Sequence, residues 1–333
     1  MTTVHGFDKT YIKKMRTVYL GNGFQPMRPC VATIGFFDGV HRGHRYLIRR
    51  LIDDARQKGM ESTVITFDRH PRQVLQADYQ PRLLTTFDEK QVLLSKTGVD
   101  NMAVLPFDEQ MAHLSAREFM ERMLSGLLNV KKLYIGYDHR FGHNREEGFE
   151  DYVRYGRELG IEVVQSEAFE LSGINVSSSV IRSFLQAGEV KMAERCLGYP
   201  YILLGQVSTG VQEGRKLGFP TANLVVDSSK LIPSAGVYAV SARIEDSTKS
   251  YCAMMNIGTR PTFGENTQTL EVHILDFEGD LYGKRLAVGF IARLREEHKF
   301  QSPEDLAKQL RQDAERAREV MEKVKNETIN NKQ

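Results

Sequence analysis

At 333 residues the chain is too long for one ordinary core, so two domains are expected. A hydrophobic fraction of 41% with 26% charged residues fits a soluble globular protein, no apolar run approaches the roughly 18 residues needed to span a bilayer, and the formal net charge of +2 makes no case for a nucleic-acid or membrane surface. Cys30, Cys196 and Cys252 are scattered and odd in number, which indicates neither a disulfide framework nor a zinc site, and the segment from Met1 to Lys9 lacks the apolar core of a signal peptide, so a cytoplasmic protein is expected.

The first informative stretch runs from Val31 to His44. Val31–Ile34 is a short apolar, β-prone run, and Gly35, Gly39 and Gly43 let the backbone approach a ligand closely. From His44 onward Leu47, Ile48, Leu51, Ile52 and Ala55 fall at helical spacing, with arginines on the opposite face. A strand that feeds a helix N-terminus through glycines presents free backbone N–H groups and a positive dipole end, which suits an anion. His41 and His44 add side-chain donors beside that turn.

Further strands are predicted at Ser62–Phe67, Met102–Leu105, Leu133–Ile135 and Ile161–Val164, with helices at Glu89–Lys96, Ala116–Leu128 and Phe149–Leu159 between them. This alternation predicts a parallel sheet with helices on both faces and ligands at the carboxyl ends of its strands. Two loops fall at such ends, Thr66–Pro71 with Asp68 and Gly136–Gly142 with Asp138 and Phe141. Each read alone is as well explained by solvation as by a pocket, whereas both at one sheet edge suit a planar, polar-edged ligand. Ser177, Ser178 and Ser179 then open a helix that carries Arg182. Serines there are ordinary N-caps, and with the arginine they also make a phosphate clamp.

A change of texture near Gly188 places the domain boundary there, giving domains 1–188 and 189–333. After a connector helix, Val190–Leu197, six short strands are predicted at Tyr201–Val207, Leu224–Val226, Gly236–Ile244, Cys252–Asn256, Leu270–Phe277 and Leu286–Leu294, the pattern of a small antiparallel barrel. Ser302 caps a last helix with Pro303 at its first position, and Leu306, Leu310, Val320 and Val324 should dock it on the barrel.

Within the barrel, Gly210, Gly214, Arg215 and Lys216 can cradle phosphates, although the P-loop string is absent. Thr221 and Asn223 are two apart and so face the same way on an extended chain, offering two oxygen ligands suited to Mg²⁺ with a bound nucleotide. Leu270, Val272 and Ile274 take one face of a strand and leave Glu271 and His273 on the other, where Glu271 is a candidate general base for a hydroxyl nucleophile.

The string F-D-G-V-H-R-G-H resembles the H-x-G-H signature of nucleotidylyltransferases, and S-S-S-V-I-R resembles the motif that partners it in flavin adenylyltransferases. G-F-P-T-A-N followed by an E-V-H-I-L-D-F strand is similar to riboflavin kinases. Together they cover nearly the whole chain, which resembles prokaryotic bifunctional riboflavin kinase/FMN adenylyltransferases. The resemblance implies a Rossmann-like α/β nucleotidylyltransferase domain, then a six-stranded riboflavin kinase-like barrel with a C-terminal helix. It implies that riboflavin is phosphorylated to FMN by ATP and FMN adenylylated to FAD and pyrophosphate, with Mg²⁺ as cofactor and small molecules, not nucleic acid or membrane, as partners; self-association is left open. By the same resemblance His41, His44, Arg182 and Glu271 would be catalytic. Gly35, Phe37, Asp38, Gly43, Ser178, Ser179 and the Gly210–Lys216 glycines and cations would hold ATP phosphates, Thr221 and Asn223 would bind metal and ATP, and Asp68, Asp138 and Phe141 would face flavin. Asn256–Phe263 resembles a family loop near the active site, and Arg69 stands where many relatives carry proline. A non-catalytic flavin sensor would keep these folds without the chemistry.

Overall fold

The apolar run at Val31 lies in the middle of a parallel sheet. In this computed structural model residues 15–21, 27–76, 78, 80, 82–137, 139–208, 218–245, 247–262 and 265–330 are described, and the chain divides into two compact units between Ser178 and Ser179.

In the first unit the strands are Arg16–Tyr19 (β1), Cys30–Ile34 (β2), Glu61–Phe67 (β3), Asn101–Leu105 (β4), Val130–Ile135 (β5) and Glu162–Gln165 (β6). All pair in parallel, in the order β1-β4-β3-β2-β5-β6. Every residue of β2 and β4 is buried, as expected where helices cover both faces of a parallel sheet. β1 was not predicted. It is a four-residue edge strand of Arg-Thr-Val-Tyr, half in solvent, and carries no apolar run to announce it. The chain lays β3 and β4 on one side of β2 and β5 and β6 on the other, so the direction of winding reverses at the carboxyl ends of β2 and β5. That switch point is the crevice in which such sheets bind ligands.

The helices are Arg42–Gln57 (α1), Pro71–Leu75 (α2), Phe87–Ser95 (α3), Glu109–Ala112 (α4), Ala116–Phe119 (α5) and Phe149–Leu159 (α6). α1 buries Leu47, Ile48, Leu51, Ile52 and Ala55, the face its spacing predicted. The single α-helix expected over Ala116–Leu128 instead continues after α5 as π-helical turns, Met120–Leu127. The Leu128 N–H reaches five residues back to the Met123 carbonyl at 2.9 Å. These wider turns bring Met120, Leu124 and Leu128 onto the core with Ile34, Ile65 and Leu133. A short ribbon, Glu170–Leu171 (β7) with Ile174–Asn175 (β8), precedes the helix Ser178–Gln186 (α7).

In the second unit Val190–Leu197 (α8) leads into Ile202–Ser208 (β9), Ala222–Val226 (β10), Gly236–Ile244 (β11), Ser250–Thr262 (β12), Glu265–Ile274 (β13) and Arg285–Arg295 (β14). They close into the antiparallel barrel β10-β13-β12-β11-β14-β9. The segment from Asn256, expected to be a loop, is strand as far as Thr262, paired in register with β13 down to Thr262 opposite Glu265. Beyond Ile257 it has no partner on the β11 side, so the missing N–H of Pro261 costs no ladder bond there.

The last helix, Pro303–Asn330 (α9), starts as its caps predict, with the Ser302 hydroxyl accepting the Asp305 N–H at 3.1 Å. Its docking differs from the expected leucine stripe. Ala314 and Ala317 are buried in one cluster with Val237, Ala239, Met254 and Leu294, Val320 packs at its margin, and Leu306 and Leu310 line an open cavity. Asp313, fully buried, receives Arg295 in a bidentate pair, from Nε and Nη2 at 2.9 Å each to Oδ2.

Candidate active sites

The turn after β2 is held in an unusual shape. Phe37 and Val40 are left-handed at φ 54° and 36°, with Gly39 between them at φ 79°. Such backbone costs about 1–3 kcal/mol per non-glycine residue and persists only where the surroundings impose it. Asp38, 3% exposed, imposes much of it. Its carboxylate accepts the Leu84 N–H at 3.0 Å, the Thr85 N–H at 2.9 Å and the Thr85 hydroxyl at 3.2 Å. The Gly39 N–H returns to that same hydroxyl at 3.0 Å, and the Asp38 carbonyl accepts the Ser178 hydroxyl at 2.9 Å. Asp38 therefore shapes the turn and ties it to the start of α7.

His41 caps α1. Its Nδ1 accepts the His44 N–H at 3.3 Å, which leaves the ring proton on Nε2 as a donor. The two imidazoles stack with centroids 3.6 Å apart, and Phe37 meets His44 edge-on at 5.1 Å. His44 Nδ1 is buried with no hydrogen-bond partner among the described residues. Burial, then the charges of His41, His139 and Lys90, pushes the His44 pKa well below 6.5, so the ring stays neutral. Gly43 is tightly surrounded: a Cβ there would stand 3.2 Å from the His41 ring and from the Val176 carbonyl, so a side chain would push on the histidine.

The other residues expected for adenylylation are placed as follows, Ser179 and Arg182 falling in the second unit. Gly35 bonds through its N–H to Ile65. Ser178 and Ser179 open α7, and Arg182 lies one turn on from Ser178, half-buried. Asp68 is exposed just past β3, accepts the Phe107 N–H at 3.0 Å and pairs with Arg69 at 3.6 Å. Phe141 is 8% exposed and stacks on Tyr152 at 4.2 Å, within the core that supports its loop. Asp138 lies outside the described residues.

In the barrel the site forms on regular strands. Ala222 and Leu224 are buried while Thr221 and Asn223 are half-buried, and the predicted alternation of Leu270, Val272 and Ile274 against Glu271 and His273 is present. Register places Asn223 opposite Glu271 on β13, and Glu271 opposite Asn256 on β12, so the carboxylate stands in a row between two carboxamides. The Thr221 hydroxyl lies 3.5 Å from Glu271 Oε2. His273 Nδ1 donates to the Pro220 carbonyl at 2.8 Å, fixing the chain that enters β10, and burial lowers its pKa from 6.5. A cavity of about 820 Å³ opens over this row, lined by Thr221, Asn256, Glu271, Arg295, Leu306 and Leu310 among others. A second, of about 530 Å³, is bounded by Thr221, Ala222, Val272, Phe277 and Tyr282 among others. Thr221 belongs to both. Gly210, Gly214, Arg215 and Lys216 lie outside the described residues. Sequence reading passed over Thr85, Lys90, Asn256 and Arg295; only Asn256, in a motif already noted, carried any signal.

A nucleotidylyltransferase-type parallel sheet with paired histidines at its switch point, followed by a closed six-stranded barrel, defines a two-domain nucleotide-dependent transferase. The family model for FAD synthetase matches residues 24–180 and that for riboflavin kinase residues 197–321. The bifunctional riboflavin kinase/FMN adenylyltransferase of Escherichia coli (strain K12) is 38% identical over 294 residues, 88% of this chain and 93% of its own. That of Pseudomonas fluorescens is 39% identical over 304 residues, 90% and 96%, and that of Bacillus subtilis (strain 168) 33% over 303, 86% and 91%. The chain belongs to the bifunctional riboflavin kinase/FMN adenylyltransferase family. A crystal structure described as a macrolide-efflux protein from Streptococcus pneumoniae shares the fold, with a TM-score of 0.83 and 32% identity over 91% of this chain and 99% of that one. That description speaks of the other protein; among the described residues here no helix is long and apolar enough to cross a membrane.

Proposed function

We propose that the chain makes FAD from riboflavin in two ATP-dependent steps, adenylylation in a domain ending near Gly188 and phosphorylation in the barrel domain after it, with residence in the cytoplasm. In the barrel, riboflavin occupies the larger cavity and ATP the smaller. Glu271 takes the proton of the ribityl 5′-hydroxyl as its oxygen attacks the γ-phosphorus; the bond to the β–γ bridging oxygen breaks, releasing FMN and ADP. Thr221 and Asn223 offer two neutral oxygens, which fit Mg²⁺ only if ATP phosphates complete its shell, and Mg²⁺ so held would neutralise phosphate charge. Gly210, Gly214, Arg215 and Lys216 would be further ligands of the same phosphates.

In the sheet unit an FMN phosphate oxygen attacks the α-phosphorus of a second ATP and pyrophosphate leaves. His41 donates from Nε2 and neutral His44 stands beside it, so charge growing on the α-phosphate meets donors that need no reorganisation. Gly35, Phe37 and Gly43 shape the turn around the phosphates and Ser178 bonds to it through the Asp38 carbonyl; Ser179 and Arg182 are the further phosphate ligands that the family motif implies, and the loops bearing Asp68, Asp138 and Phe141 take the flavin. Neither step needs a covalent enzyme intermediate; both rest on positioning.

The observation that carries this reading is Thr221, shared by two cavities and within reach of Glu271, which is where a phosphoryl group would cross from nucleotide to hydroxyl. Incubation with riboflavin and MgATP, followed by chromatography of the flavins, should show FMN first and FAD after it. Tight flavin binding with no product would establish the sensor instead.

A further inference from the structure

Lys90, on α3, belongs to none of the motifs, yet it is 2% exposed and its ammonium is fully used. Nζ donates to the Phe36 carbonyl at 3.1 Å, to Thr66 Oγ1 at 3.1 Å and to the Phe67 carbonyl at 3.4 Å. Three N–H donors thus meet three acceptors. The Thr66 hydroxyl donates in turn to the Phe36 carbonyl at 3.3 Å. The ammonium also lies 4.2 Å from the Phe36 ring centroid and 5.3 Å from that of Phe87.

Phe36 and Phe67 lie where two neighbouring parallel strands, β2 and β3, give way to their loops. One loop carries the left-handed Phe37 and Val40 and then His41; the other carries Asp68. The Asp38 clasp holds the far side of the first loop, and on its near side Lys90 bonds both segments at once, adding to the direct Thr66 hydroxyl–Phe36 carbonyl bond. We propose that Lys90 is a positioning residue for adenylyl transfer, whose single ammonium fixes the strained His41 turn against the Asp68 loop. This rests on reading the His41/His44 turn as the adenylyltransferase site.

Burial lowers the Lys90 pKa from 10.5 to about 8, with Asp38 and Asp68 pulling it back up. His44, whose own pKa Lys90 helps to lower, and His70, edge-on to Phe36 at 4.7 Å, are the other titratable groups about it. A neutral amine has two N–H donors and a lone pair, so deprotonation breaks one of the three bonds and turns a lone pair toward an oxygen. Adenylylation should therefore fall as pH rises through the Lys90 pKa, while riboflavin phosphorylation, in the other unit, should not follow that limb.

The test uses full-length wild type, Lys90→Met and Thr66→Val, with FAD formation from FMN and MgATP measured from neutral to alkaline pH. Lys90→Met should lower kcat about 100-fold with the KM for ATP little changed, because the loss is of alignment and not of binding. Its alkaline limb should vanish, FMN formation from riboflavin should stay at wild-type rate, and Thr66→Val should move the same way by less. Folded Lys90→Met with wild-type kcat and an unchanged limb would overturn the proposal. If Lys90→Met does not fold, Thr66→Val decides: reduced kcat with an altered limb supports it, and wild-type behaviour overturns it. Wild type that forms no FAD from FMN at any pH would remove the site reading itself, and the positioning role with it.

Discussion

The two sites of this chain are built in opposite ways. The barrel site is made by strand periodicity: Asn223, Glu271 and Asn256 stand in one row because three neighbouring strands are in register and every second residue faces the same way. The candidate sheet site is made by departure from regularity, with left-handed Phe37 and Val40 presenting a buried His41 stacked on a half-buried His44, and the turn held through Asp38 by Leu84, Thr85 and Ser178. A strand can supply a base and its neighbours at little conformational cost. A turn that crowds donors around a phosphate needs external clamps, and those clamps become part of the site.

The comparison breaks most sharply at its two reactive centres. Glu271→Ala should lower riboflavin phosphorylation by about 100- to 10,000-fold, while FAD synthesis from supplied FMN survives. His44→Ala should do the reverse, lowering adenylylation by about 100- to 1,000-fold and halting the pathway at FMN. Loss of both activities in either folded variant would mean that the sites are not separate.

Next in size is an effect on stability. Asp313→Ala takes from Arg295, whose side chain is 15% exposed, the carboxylate it pairs with and should cost the second unit about 1–3 kcal/mol, read as a lower denaturant midpoint for the barrel signal with the sheet signal unmoved. Asp38→Asn sharpens the contrast from the other side. One amide oxygen cannot satisfy the Leu84 and Thr85 N–H groups as two carboxylate oxygens do, so about 1–3 kcal/mol is lost, and FAD formation should fall while FMN formation holds. The smallest effect is in pH. His44 and His273 both have folded pKa values below 6.5, so the unfolded chain takes up their protons first. Their contribution to stability is complete above pH 6.5 and declines as pH falls below it. Melting temperatures measured from neutral into acid should show that decline, and a smaller one in the barrel of His273→Asn.

This difference in construction also explains what could be read from the amino acids alone. The buried strands β2 and β4 and the alternating strand at Glu271 were legible because one side-chain period dictates burial. The edge strand β1, polar and four residues long, was not. The π-helical turns at Met120–Leu127 were missed because a π-turn and an α-turn bury similar residues over so short a span. At the candidate sheet site the two histidines were visible in one short string, whereas Thr85 and Lys90 were not, since nothing local shows that the start of α3 returns to the turn after β2. In the α9 stripe the leucines drew attention, but the helix residues fully or nearly buried against the barrel are Ala314 and Ala317, too small to stand out in an apolar pattern.

Two sites that work independently in one chain can complement each other between molecules, so the decisive measurement mixes the two crippled variants. Glu271→Ala and His44→Ala, each unable to take riboflavin to FAD alone, should together restore FAD from riboflavin and MgATP, with free FMN passing between molecules. If each variant retains its own half-reaction and the mixture still yields no FAD, the account of two independent sites is wrong.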